Sequence, residues 1–493
     1  MKKKTGRIVS FAAAAALILH LTSCVSINLP DKRTGSQGAS SSAEPAESYE
    51  TPEYDYDVVK NDFQKEINRY AAHAGSTDLG GGTVMIATPK EGFFDDDQAG
   101  VSMSEASFMR NRAVEKAFNV TIITKTEATD LMYENLSAAC LAGDFYADLI
   151  LIPEYYVHQF AVSGLLMNMN SLPFSDYESG FNIKSGADAA MAMSTGYALG
   201  GWATLEPDGL PAVFFNKDIM KDITDKAGLE DPYELARRGE WTWDAFLAYC
   251  AAASALNDDA GTSYRTYGAG SVSAELADIV FISEGNRFIS SGLSNYPTVA
   301  YDAASSAGFA ATSDSLRADP LRVADPAEAV SLFQSGSSLF LIDRLGAMKT
   351  LSNSEAVWGI LPVPKDSAER ESYSSLVPAD ALMFAVPANT TGAEKSSRIM
   401  TALNIHSIGR MVDAYITDSM YYYVRDNDSL DSIEKICYSA VYDMAYATGG
   451  YDDSIGNATY LAARDVFANG GDLASYLDTY SFSAEASLTR LFS

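Results

Sequence analysis

The sequence predicts an α/β protein built as two lobes or domains, and three observations predict it. Between residues 83 and 152, short apolar runs alternate with helical periods, the βαβ pattern of a parallel sheet with right-handed crossovers. The body beyond the N-terminal segment exceeds 400 residues, more than one ordinary core organises. Residues 149–152 form an unbroken apolar run closed by Pro153, which reads as a buried parallel strand from which the chain turns out of the sheet.

Residues 1–23 read as a processing signal. Lys2, Lys3, Lys4 and Arg7 make a basic start, and residues 8–21 are apolar but too short for a stable membrane span. Leu21-Thr22-Ser23-Cys24 resembles a bacterial lipobox, which implies cleavage before Cys24 and lipid on its sulfur; the alternative is an ordinary secretory signal with a chance cysteine. Residues 24–56 are rich in Ser, Gly, Ala, Pro and Glu without a hydrophobic period. They read as a disordered tether of roughly 30 Å root-mean-square span. Removing residues 1–23 takes out four basic residues and no acidic ones, so the formal charge moves from −30 to −34. Such a chain is a poor partner for nucleic acid or anionic lipid.

Cys140, Cys250 and Cys437 lie in apolar, helix-like surroundings without metal-site spacing, so three buried free thiols are expected rather than one disulfide. His73, His158 and His406 are isolated, so neither a metal site nor a cofactor is expected.

Taken in order, Val59, Phe63, Ile67 and Tyr70 recur at helical spacing and predict a docking helix. Gly80-Gly81-Gly82 reads as a turn, since no Gly-Lys-Ser/Thr follows to make a phosphate loop. A strand at 83–87 opens into the loop 88–94, where Phe94 either lines a cleft rim or packs. Helices are expected at 104–118, capped by Ser104, and at 129–142, with a strand at 119–125 between them. After Pro153, Glu154, Tyr155 and Tyr156 stand at the carboxyl edge of the sheet, where open α/β folds bind ligands. The helix that follows carries Phe160 and Val162, and Gly164 is its stop. Thr242 and Asp244 mark another helix start, beside which Trp241 and Trp243 should pack. The strand at 338–342 ends in Asp343-Arg344, polar groups for a cleft or a surface ion pair.

The passage from Asp144 to Leu172, with its Asp-hydrophobic strand and closing Ser163-Gly164-Leu165-Leu166, resembles the first lobe of carbohydrate-type extracellular solute-binding proteins of bacterial ABC importers. Further segments resemble that family in the same fixed order: 110–120, 211–217, 231–235 with 239–246, 356–365, 383–387 and 421–433. The resemblance implies a periplasmic-binding-protein-like, type II fold of two lobes, each a mostly parallel sheet flanked by helices, joined by a hinge. It divides the chain into 57–212 (lobe one), 213–382 (lobe two), 383–425 (return to lobe one) and 426–493 (C-terminal helices, mainly on lobe two). It also implies a monomeric binder rather than an enzyme, held at the outer face of the cytoplasmic membrane. Such a protein closes on a mono- or oligosaccharide and delivers it to the transmembrane subunits of an ABC permease. The cleft residues expected are Glu154, Tyr155 and Tyr156 from lobe one, Trp202 near the hinge, and Glu275, Asp343, Arg344 and Asp380 from lobe two. Two alternatives stand beside this reading. A surface glycan-binding lipoprotein of another uptake system would favour helical-pair repeats, which are not found. A secreted carbohydrate hydrolase would use two of the 65 acidic residues, but no Gly-x-Ser-x-Gly, HExxH or GxGxxG motif stands in a suitable context.

Overall fold

The computed structural model describes residues 56–75, 77–92, 102–174, 179–192, 195–258, 262–292, 295–449 and 453–491. The expectations for Cys24, for Phe94 and for residues 1–55 lie outside these. No helix among the described residues is long and apolar enough to cross a membrane.

The strands are β1 (Gly82–Thr88), β2 (Val120–Thr126), β3 (Leu149–Pro153), β4 (Met191–Ala192), β5 (Thr195–Gly196), β6 (Pro211–Asn216) and β7 (Arg265–Ala269). They continue with β8 (Ile289–Gly292), β9 (Asn295–Val299), β10 (Ser338–Arg344), β11 (Trp358–Leu361), β12 (Ser375–Leu376), β13 (Leu382–Ala385) and β14 (Ala440–Val441).

The first sheet has the order β13-β3-β1-β2. β1 runs parallel to β2 and to β3, with the helices Ser102–Phe118 and Thr129–Ala142 making the two crossovers. Every residue of β3 is buried, because successive side chains serve opposite faces. Leu149 and Leu151 pack with Val114, Phe118 and Phe384, while Ile150 and Ile152 pack with Met132, Leu136 and Phe160. Gly164, at φ +70°, stops the chain after the helix Val157–Val162, a conformation glycine adopts without a Cβ penalty.

The second sheet has the order β11-β6-β10-β7 and is mixed: β7 and β10 are parallel, and β6 opposes both β10 and β11. One cause accounts for this and for the antiparallel β13 of the first sheet. Both β6 and β13 carry the chain across between lobes, so each enters its sheet at the end where the parallel strands leave it; Pro211 faces Arg344, and Leu382 faces Pro153. The two crossing segments also touch each other, since Leu199 and Phe384 exchange backbone hydrogen bonds of 2.8 and 3.0 Å. Two further pairings, β12 with β14 and β4 with β8, join segments on either side of the crossings.

The second lobe forms around Trp241 and Trp243, both buried. Trp241 donates its indole N–H to the Pro362 carbonyl at 2.9 Å and Trp243 to Ser283 Oγ at 3.1 Å, while Thr242 caps the helix Trp243–Leu256. The C-terminal residues Met444, Tyr446, Ile455 and Leu488 belong to the same core, whereas Ile399, Met400 and Leu403 of the helix Ala393–Ile405 pack on the first sheet. Cys140, Cys250 and Cys437 are free thiols, but Cys140 is only half-buried, correcting that part of the expectation.

Candidate functional site

The ends of β1, β3, β7 and β10 and the starts of β6 and β13 converge where the chain crosses between lobes. Backbone hydrogen bonds tie the exit of β3 to the approach of β13: Glu154 N–H donates to the Ala381 carbonyl at 2.9 Å and Tyr155 N–H to that of Ala379 at 3.2 Å. Just past β1, Lys90 makes an ion pair with Glu206, on the approach to β6, and also feels Asp208 and Asp380. Burial pulls the Lys90 ammonium below its usual range, partly offset by those carboxylates. Lys349, beyond β10, pairs with Asp208, whose other oxygen accepts from the Tyr415 hydroxyl at 2.8 Å.

From the end of β10, Arg344 donates to Glu275 Oε2 at 2.9 Å and to the Gly209 carbonyl at 3.1 Å. Asp343 is buried; its Oδ1 accepts from the backbone N–H of Ser271 at 3.1 Å and of Arg344 at 2.8 Å, and from the Ser271 hydroxyl. Gly270 is required here, since a Cβ would lie 2.0 Å from Asp343 Oδ2. Beside Lys90, Glu206, Asp208 and Lys349 opens a cavity of about 560 Å³, walled in part by Tyr415 and Tyr422. That volume suits a small ligand.

The structure brings some of the sequence-predicted residues together and separates others. Tyr155 and Asp380 are both exposed, and partial burial, together with the charges of Asp380 and Asp130, raises the Tyr155 phenol above its usual range. Tyr156 backs Tyr155, with ring centroids 4.6 Å apart, and donates its hydroxyl to Asp130 Oδ1 at 2.7 Å. Glu275, Asp343 and Arg344 form one linked group.

Glu154 does not face the opening. It begins the turn Glu154–Tyr156 directly at the strand end, and the helix Met444–Gly449 packs against that turn. The result is a side chain with 0 % exposure and, among the described residues, no hydrogen-bond partner for either carboxyl oxygen. Burial, with Asp443 nearby, holds its carboxyl well above the usual range. Trp202 is also elsewhere: its ring meets Tyr438 at 5.4 Å and 62°, lining a different cavity. Sequence reasoning missed Lys90, Glu206, Asp208 and Lys349. The one available signal was position, since Lys90 lies in the loop flagged after β1 and Asp208 lies just before the crossing strand.

A search of curated protein sequences returns no match. Solved structures of similar shape include the GacH receptor of Streptomyces glaucescens, described unliganded and with acarbose (14 % identity, 83 % of this chain and 99 % of that one, TM-score 0.47). They also include UgpB of Mycobacterium tuberculosis with glycerophosphocholine (15 % identity, 84 % and 100 %, TM-score 0.49). A third is the ABC substrate-binding protein Lmo0181 of Listeria monocytogenes with cycloalternan (14 % identity, 83 % and 99 %, TM-score 0.46). The sequence profile of the bacterial extracellular solute-binding proteins matches residues 111–391, more than half of the chain. This chain belongs to the bacterial extracellular solute-binding protein family.

Proposed function

We propose that this protein is the substrate-binding component of an ABC importer, anchored through lipid on Cys24, and that it captures a mono- or oligosaccharide by closing its lobes and hands it to a membrane permease. The observation that carries the solute class is the charge balance of the cleft. Three cations there already face an acid, Lys90 with Glu206, Lys349 with Asp208 and Arg344 with Glu275, while Arg110, which also lines the cavity, is buried and donates to Asn111 Oδ1 at 3.0 Å. Asp343 and Asp380 add further negative charge. An anionic solute would meet repulsion, whereas an uncharged polyol can accept from the cations and donate to the carboxylates. Tyr155 supplies an exposed aromatic face for the sugar's C–H surface. Contacts from both lobes would shift the open–closed equilibrium by the ligand's differential affinity for the closed form.

Calorimetric titration with neutral mono- and oligosaccharides tests the reading. Tyr155→Ala and Arg344→Ala should each weaken binding while leaving the melting temperature nearly unchanged. Unaltered affinity in both variants would remove the cleft assignment. For the anchor, Cys24→Ala should move the protein from the membrane fraction to the soluble one.

A further inference from the structure

A second cavity, of about 810 Å³, opens beside Trp202, and no residue lines both it and the cleft cavity. Both lobes build it: Lys184 and Trp202 come from the first, and Arg237, Arg238 and Arg287 from the second. Lys435 and Tyr438 come from the helix Asn427–Tyr438 and its end.

Its lining is richer in cations than that of the cleft cavity. Five cations line it against two acids, Asp188 and Glu371, in a chain whose formal net charge is −30. Three of the cations are already matched. Lys184 pairs with Asp188 at 2.8 Å, Arg237 with Asp428 at 2.5 Å, and Arg238 with Glu230 and Glu240, both at 2.7 Å. Arg287 and Lys435 make no ion pair among the described residues, and both are half-buried. Arg287 donates to the Asn286 carbonyl at 2.7 Å and feels Asp443 and Arg370; Lys435 lies beside Glu434. Distant carboxylates count for little, because ions screen exposed charges beyond about 8 Å at physiological salt. The acids paired with Lys184, Arg237 and Arg238 offset those three cations, so Arg287 and Lys435 are the ones left to meet a ligand's charge.

The apolar part of the wall has a matching shape. Trp202 and the exposed Tyr438 meet at 62°, making a two-sided aromatic corner, and Ser372 and Ser374 add hydroxyl groups on the same lining. A corner of that kind takes the C–H face of a ring, while hydroxyls and cations take its polar edge.

We propose that this cavity is a second binding site, for a sugar ring carrying one anionic group, its ring against Trp202 and Tyr438 and its charge at Arg287 and Lys435. A uronate carboxylate and a phosphate ester share that chemistry. Because both lobes line the site, its ligand biases their relative angle and couples to cleft affinity, reciprocally.

The test is calorimetric titration of the full chain with glucuronate, glucose 6-phosphate and glucose, alongside tryptophan fluorescence. Trp241 and Trp243 are buried in the second-lobe core and Trp358 does not line the cavity, so Trp202 is the reporter and Trp202→Phe is its control. At least one anionic probe should bind, and which one does identifies the source. Glucose should bind this site about tenfold more weakly or not at all, and Lys435→Gln should weaken the anionic probe by about tenfold. Tyr438→Ala should weaken it too, whereas Tyr155→Ala should leave it unchanged. Three outcomes overturn the proposal: no binding of either anionic probe, equal binding of glucose in Trp202-reported titrations, or loss in Tyr155→Ala with Lys435→Gln unaffected. The last result would put the acidic sugar in the cleft, so it contradicts both sites' assigned charge preferences, while failure of the neutral-sugar titration alone bears only on the cleft.

Discussion

Glu154→Gln should make the protein more stable, and by a margin that grows with pH. Glu154 is fully buried, and neither of its carboxyl oxygens has a hydrogen-bond partner among the described residues. The groups around it give the charged form little help. Asp443 is itself buried and pushed up to about 6. His158, on the helix Val157–Val162, is buried and held down to about 3, hence neutral. Arg287 lies near Asp443. The folded protein therefore holds the Glu154 proton more tightly than the unfolded chain, whose carboxyl titrates near 4.5. Its stability contribution is fully present below that value and falls as pH rises toward the raised one. Across that window one proton costs about 1.4 kcal/mol per pH unit. Glutamine keeps the shape and the unpartnered polar end but carries no proton to lose, so the comparison isolates the charge. Above about pH 5 the variant's advantage should widen with pH, by up to about 1.4 kcal/mol per pH unit. For a cooperative unit of this size that is up to roughly 1.5 °C in melting temperature per pH unit, readable by differential scanning calorimetry. A gap that stays constant with pH, or that favours wild type, would show that the carboxylate is ionised and satisfied, and the argument would fail.

Two other substitutions test the packing near the sites. Gly270→Ala drives a Cβ into Asp343, so it should cost about 1–3 kcal/mol by urea denaturation and weaken cleft binding; a neutral result would mean that Asp343 moves freely. Arg464→Met leaves Asp278 buried at 0 % exposure with only the Tyr446 hydroxyl to hold it. The loss should be about 3 kcal/mol, the low end for such pairs because Arg464 is partly exposed. That loss should shrink as pH falls toward about 6, because the buried Asp278, held at about 6 by Arg464 in the wild type, takes up its proton at higher pH once Arg464 is gone.

What was legible in the sequence was what local pattern encodes. The apolar run before Pro153 is β3, the helix expected at 129–142 is Thr129–Ala142, and Gly164 stops its helix with a positive φ. Strand direction is not local: nothing in residues 211–216 or 382–385 says that they run against their neighbours, because the reason is where the chain comes from. Burial by a distant segment is equally silent. Glu154 looks like a polar residue at a strand tip, and only the helix Met444–Gly449, far downstream, covers it. Lys90, Glu206, Asp208 and Lys349 carry charges like many other surface positions, and the crossings alone bring them together. Tyr155 and Asp380, named from their positions, are both exposed, and the charge of Asp380 reaches the Tyr155 phenol.

The closing strand of the first sheet has a consequence for how the chain is made. β13 pairs with β3 across more than two hundred intervening residues, so the nascent first lobe leaves one flank of β3 unzipped until most of the polypeptide has been synthesised. Late, long-range closure of that kind slows premature compaction. A polypeptide destined for the outside of the cell would thereby stay threadable through an export channel, and lock its architecture only after passage.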